Sequence, residues 1–249
     1  MAVGAAITSG VVGVAASPAA ENRFKLSPEL EARVTAHREM VANAGRSIAD
    51  FCRLASDTVE LLDPIRLELS HFEGDQRSSP PFAAVERAYT RTTKRVPGLY
   101  LYAFEEGYRT GIDYPTLARL APDDARALLR AMDHFETVPA GGASWVTMMT
   151  DYSGCHDPEN ARRPLTALAK AWPAAPSCLR DAFREHLNRL LQEMASDSHF
   201  CGARRPILAA VRRNARLLQS LADTRGPELA GKLLKAARAP EAQFLGDPG

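Results

Sequence analysis

The chain has little lysine, few aromatic residues and almost no net charge. Only five of its 31 cationic residues are lysine (positions 25, 94, 170, 232 and 235), and the arginine-dominated set stands against 30 acidic residues. A net charge of +1 excludes a global field that would announce a polyanion partner. No apolar run approaches the roughly 18 residues of a membrane span, so no transmembrane helix is predicted. Aromatic side chains make up 7% of the residues and β-branched alternation is scarce, which argues against a large sheet. No GxSxG, HExxH, P-loop or dinucleotide-binding signature occurs, so none of the enzyme classes marked by those motifs is indicated.

What is present is a chain of 249 residues, 45% hydrophobic and 24% charged, long enough to bury a substantial core. Alanine and leucine dominate, which favours helices. The excess of arginine over lysine, with abundant alanine, proline and glycine, fits GC-rich coding and a bacterial source. The fold class expected is all-α: an irregular multi-helix bundle with a long N-terminal heptad-patterned helix. That seam runs Leu30, Val34, His37, Val41, Ala44, Ile48, Phe51, Ala55, Thr58, Leu62, stepping by four and three. A 3.5-residue repeat keeps one stripe against a partner helix. The spacing predicts one long helix, or two stacked helices breaking near Gly45. Ser27-Pro28 signals its start and Asp63-Pro64 its end.

Further along, Pro81, Pro115, Pro122, Pro164, Pro176, Pro206 and Pro227 each open a helical pattern. Phe82, Val85, Tyr89 and Val96 fit one helix; Leu128, Leu129, Met132 and Phe135 fit another. Trp145, Met148, Met149 and Tyr152 fit a helix capped by Ser144. Residues 178–195 are the clearest amphipathic element, with Leu179, Phe183, Leu187, Leu190, Leu191 and Met194 on one face. Residues 98–107 alternate like a strand but lack an evident pairing partner, so they are read as helix. Three segments read as long loops: 73–79, 137–143 and 152–163. Residues 1–26 form an uncharged leader up to Ala20, read as a flexible tail or export signal without the basic start of a secretory one. Residues 27–239 form one helical domain with a possible subdivision near 73–80, and 240–249 a flexible tail.

The chemistry-bearing residues are few. Four cysteines stand at 52, 155, 178 and 201. If 178–195 is helical, Cys178 and Cys201 lie roughly 30 Å apart by helical rise, beyond disulfide reach. Cys52, beside Phe51 on the heptad stripe, reads as an inert core thiol. That leaves Cys155 to pair with Cys178 or Cys201, in an exported chain. No cofactor is indicated, apart from one possible zinc set: Cys155, His156, His199 and Cys201 are of the right kind for tetrahedral ligation, though not at a known spacing.

His156-Asp157, with His134 upstream, resembles in its letters the His-Asp pair of the all-helical HD-type metal phosphohydrolases. There the pair sits in an apolar helical segment, whereas here Pro158-Glu159-Asn160 reads as a turn. Glu105 and Glu106 read as a solvated face, since consecutive helical residues point in different directions.

Charge is segregated. Residues 200–238 hold nine arginines and lysines against Asp223 and Glu228, and residues 102–137 hold seven acidic against four basic residues. Arg204, Arg205, Arg212, Arg213 and Arg216 leave the apolar stripe of their helix free, forming a basic face directed either at the acidic middle of the chain or outward. The function these features support is that of a bacterial interaction protein, exported as an effector or periplasmic factor and binding another macromolecule, most simply a protein. The alternatives are a metal-dependent helical hydrolase centred on Cys155-His156-Asp157, and a cytosolic module binding nucleic acid or anionic lipid through the arginine-rich helices.

Overall fold

The structure, a computed structural model, describes residues 26–70, 94–104, 107–136, 146–148, 154–196, 199–240 and 242–245. It is an all-α, multi-helix fold carrying two small sheets. The leader, the segments 73–79 and 137–143, Glu105 and Glu106, and the 82–89 part of one expected helix lie outside the described residues.

The heptad seam forms two helices rather than one. Helix α1 (Pro28–Asn43) starts where Ser27 Oγ accepts from the Leu30 amide, with Pro28 at its first position. A single 3₁₀ turn, Ala44–Arg46, interrupts at Gly45, and α2 (Ile48–Ser70) resumes after Ser47. Ser47 restarts the helix by accepting from the Asp50 amide and donating to Asp50 Oδ2 at 2.6 Å. The seam is the buried face: Leu30, Val34, His37, Ala44, Phe51, Ala55, Thr58 and Leu62 are all buried. Helix α2 does not stop at Pro64. Proline removes one amide donor, but the carbonyl it would have served belongs to solvent-exposed Glu60, while Leu61, Leu62 and Ile65 anchor the next turn in the core.

Residues 98–107 are not helical. Strand β1 (Leu99–Phe104) pairs antiparallel with β2 (Gly107–Ile112), so the missing partner is the segment that follows directly. The hairpin is anchored at its open end by buried Leu99 and Ile112, which face each other in register. Gly98 enters β1 at φ +99° and Gly111 lies beneath the Tyr100 ring, where a Cβ would sit 2.6 Å from that ring.

Helix α3 (Tyr114–Leu120) is capped by Asp113 and followed by α4 (Asp123–Glu136). Val146–Met148, expected to be helical, is instead strand β3, antiparallel to β4 (Gly154–His156). Trp145, Met149 and Tyr152 lie outside the described residues. The expected 152–163 loop is mostly structured: β4 is followed by α5 (Pro158–Ala174), whose cap is Asp157, accepting from the Glu159 and Asn160 amides at 3.0 Å each. Pro158 rather than Pro164 is therefore the helix opener.

Helix α6 (Ser177–Ser196) leads to β5 (His199–Cys201), α7 (Arg204–Gln219), α8 (Gly226–Ala236) and β6 (Gln243–Leu245). The second sheet has the order β3-β4-β5-β6, with β5 parallel to both neighbours. Residues 243–245 thus pair with β5 instead of trailing as a tail. One apolar cluster runs from Leu26 to Ala237. Polar ties lock the second half: Trp172 Nε1 and Arg180 Nη1 donate to the two oxygens of half-exposed Asp223, at 2.6 and 2.7 Å, and buried Asn214 Nδ2 donates to the Pro158 carbonyl at 2.8 Å.

Candidate functional site: the arginine face of α7

Strand β5 is the base from which α7 springs. Gly202, at φ +112°, turns the chain out of the sheet, and Ala203 is extended at the N-cap position with no side-chain cap. Ile207, Ala210, Val211, Asn214, Ala215 and Leu218 are buried, which fixes the rotation of α7 about its axis. At 100° per residue, Arg204, Arg205, Leu208, Arg212 and Arg216 then share an arc of about 120° that flanks the buried stripe, along roughly 18 Å of helix. All four of these arginines are exposed, while Leu208 is half-buried between them. The basic end of the chain therefore faces outward.

The electrostatics of this face are unfavourable within the chain itself. Arg204 and Arg205 stand in the first turn of α7, where no acidic residue accompanies them and the helix dipole disfavours cations. Arg212 and Arg216 are a like-charged i,i+4 pair. Among the described residues none of the four reaches a carboxylate within ion-pair distance; Arg204 lies over the Phe244 ring of β6, 5.5 Å from its centroid. Arg213 differs. It points to the side of α5 and pairs with Glu159, which also meets Arg162 at 3.6 Å. Among the described residues, the acidic middle of the chain does not neutralise the face.

The residues considered for zinc come together, in another chemical state. Cys155 and Cys201 form a disulfide with Cα atoms 5.3 Å apart, on adjacent strands β4 and β5, so in the oxidised chain they supply no thiolate. His156 is fully buried, its ring 5.5 Å from that of Phe200, and His199 is exposed. No group of three or more His, Cys, Asp or Glu side chains arranged to hold a metal occurs among the described residues. His134, the other member of the HD-like set, is exposed on α4. The reading of Cys52 as an inert thiol is overturned: it forms a disulfide with Cys178, Cα atoms 5.8 Å apart, because the seam of α2 lies against the first turn of α6. Cys178 is bonded to Cys52 and Cys155 to Cys201, so of the two expected partners for Cys155 it is Cys201 that is found.

Two buried polar clusters were not apparent from the sequence. Glu136 Oε2 accepts from both the Tyr114 hydroxyl (2.5 Å) and His186 Nε2 (2.8 Å), joining α3, α4 and α6. Burial, and then the Glu136 charge, push the Tyr114 hydroxyl well above its ordinary range. His37 Nε2 donates to the Pro97 carbonyl at 2.7 Å, with Nδ1 2.6 Å from Asp57 Oδ2. The position of His37 on the heptad stripe was the signal for the second cluster, since a histidine on a buried face must find polar partners. Beside the first cluster a groove of about 500 Å³ runs between α3 and α4, past Tyr114, Arg119, Arg130 and Asp133. Partial burial raises the Asp133 carboxyl above its ordinary value. Tyr114 is wholly buried and the polar atoms of its cluster bind one another, which makes this a structural tie between helices. No protein-family model, no curated protein and no solved structure matches this chain.

Proposed function

We propose that this chain is an exported bacterial interaction protein that docks an acidic partner protein on the arginine face of α7. The observation that carries this reading is the set of four exposed arginines on one arc, two opposed to the helix dipole and none paired with a carboxylate among the described residues. A face that costs the free chain stability is compensated when a partner supplies the anions. Arginine is enriched and lysine depleted at protein interfaces, and the planar guanidinium matches a carboxylate in two hydrogen bonds. Among the described residues the only aromatic ring beside these arginines is half-buried Phe244, which is no base-stacking platform and favours protein over single-stranded nucleic acid. Two disulfides support a location outside the reducing cytosol, and the arginine-rich composition supports a bacterial source.

Poly-L-glutamate is the probe for the face. The disulfide-intact protein is expected to bind it with an affinity that falls steeply as salt rises, and the R205Q/R212Q/R216Q variant to bind about tenfold more weakly or worse at equal helicity. Unchanged affinity in that variant would overturn the reading. Intact mass of natively produced protein tests export: four free thiols on an unprocessed chain would sink that part.

A further inference from the structure

We infer that the N-terminal half of the arginine face holds a discrete site for a phosphomonoester dianion, borne by a soluble molecule or a polypeptide. The inference rests on the arginine face being a binding surface and assigns a ligand chemistry to part of it. Arg204, Arg205 and Arg212, together with Leu208, wall a shallow, open depression of about 410 Å³. Arg216, one turn further on, lies outside that wall.

Three features of the concavity select the anion. Its charge is threefold positive with no carboxylate in reach among the described residues, whereas the neighbouring Arg213 has Glu159. A single carboxylate offers one negative charge and two oxygens, which one guanidinium satisfies. A phosphomonoester carries close to two negative charges at neutral pH and three terminal oxygens, enough to engage all three side chains in charge-assisted hydrogen bonds. Next, the guanidinium of Arg204 is already steered by the Phe244 ring of β6, itself stacked on Phe200 of β5 at 5.5 Å, so one wall of the site is held by the sheet. Finally, half-buried Leu208 gives the floor an apolar patch between the arginine stems, on which an organic group borne by the phosphate can pack. A membrane-borne phosphate fits less well. The only large apolar side chain strongly exposed among the described residues is Leu67, on α2, so the α7 face presents no hydrophobic anchor to a bilayer.

The test uses the full, disulfide-intact protein in calorimetric titration with a short phosphoserine peptide, the same peptide with serine or glutamate in that position, and inorganic phosphate. Saturable binding of the phosphoserine peptide, at least about tenfold tighter than the glutamate peptide, is expected. R204Q and R212Q should each abolish that preference, while R216Q should leave it within about twofold. Inorganic phosphate competing with the peptide assigns recognition to the phosphate group alone; phosphate that fails to compete while the preference persists assigns it to phosphate together with the flanking chain. Both outcomes support the site. Equal affinity for the phosphoserine and glutamate peptides would overturn the phosphate site and leave the arginine-face reading standing. Loss of poly-L-glutamate binding in R205Q/R212Q/R216Q tests that reading separately. Tighter binding to phosphatidic acid vesicles than to the phosphoserine peptide would overturn the assignment to a soluble or polypeptide carrier.

Discussion

The two disulfides join very different neighbours. Cys52–Cys178 connects α2 to α6, two helices in contact along which Phe51, Leu54 and Leu61 on one and Leu179, Phe183 and Leu187 on the other are fully buried. Cys155–Cys201 connects strands of three residues each, paired in register only at His156 and Phe200. Loop closure alone assigns them similar worth, about 5 kcal/mol for a separation of 126 residues and about 4 kcal/mol for one of 46. The difference lies in what remains when the bond is absent. The helices still have an apolar interface, whereas the strands have few ladder hydrogen bonds, and β5 is the base of the arginine face.

C52A/C178A should lower unfolding free energy by up to about 5 kcal/mol in urea titration, with binding at the α7 face unchanged while the protein is folded. C155A/C201A should cost somewhat less globally, up to about 4 kcal/mol, yet raise hydrogen exchange selectively in β4, β5 and the first turn of α7 and weaken binding there. Identical exchange patterns in the two variants would show that both bonds support the fold in the same way. A third, smaller effect lies wholly inside the helical body: E136Q removes the charge that receives the Tyr114 and His186 protons and should cost about 1–3 kcal/mol. Should its effect reach that of C52A/C178A, the polar tie would hold the body as strongly as the disulfide does.

The same cluster makes the helical body sensitive to alkaline pH. Because the hydroxyl of folded Tyr114 ionises above its ordinary range, the unfolded chain releases that proton first. Its contribution is complete below the ordinary tyrosine value of about 10 and is lost as pH rises beyond it. Stability should therefore decline above pH of about 10, less so in Y114F, as denaturant midpoints measured across that range would show.

Much of the helical body was legible because its signals are local. The seam from Leu30 to Leu62 and the break at Gly45 follow from periodicity and one flexible residue, and Pro115, Pro176 and Pro227 stand within a residue or two of real helix starts. The same reasoning misplaced the start of α5: Asp157-Pro158 carries the cap and first-position signature, and its loop-like surroundings obscured it. The hairpin escaped because β2, GYRTGI, has none of the apolar alternation of β1 and reads as a strand only when the two are laid side by side. For the basic face, sequence placed the arginines on the side away from the apolar stripe, but only the rotation of α7 set by Ile207, Val211 and Leu218 shows that Arg213 alone turns toward α5. Cys52 and Cys178 could not be joined from the sequence because a helical stripe states that a helix docks, not on which helix.

The spans of the two disulfides interleave, since Cys155 lies between Cys52 and Cys178 while Cys201 lies beyond them. Any single peptide-bond cleavage between residues 52 and 178 leaves its fragments joined through Cys52–Cys178, and any between 178 and 201 leaves them joined through Cys155–Cys201. A protease that nicks this stretch once produces no separable fragment until the protein meets a reductant, so the arginine face stays tethered to the body that carries it.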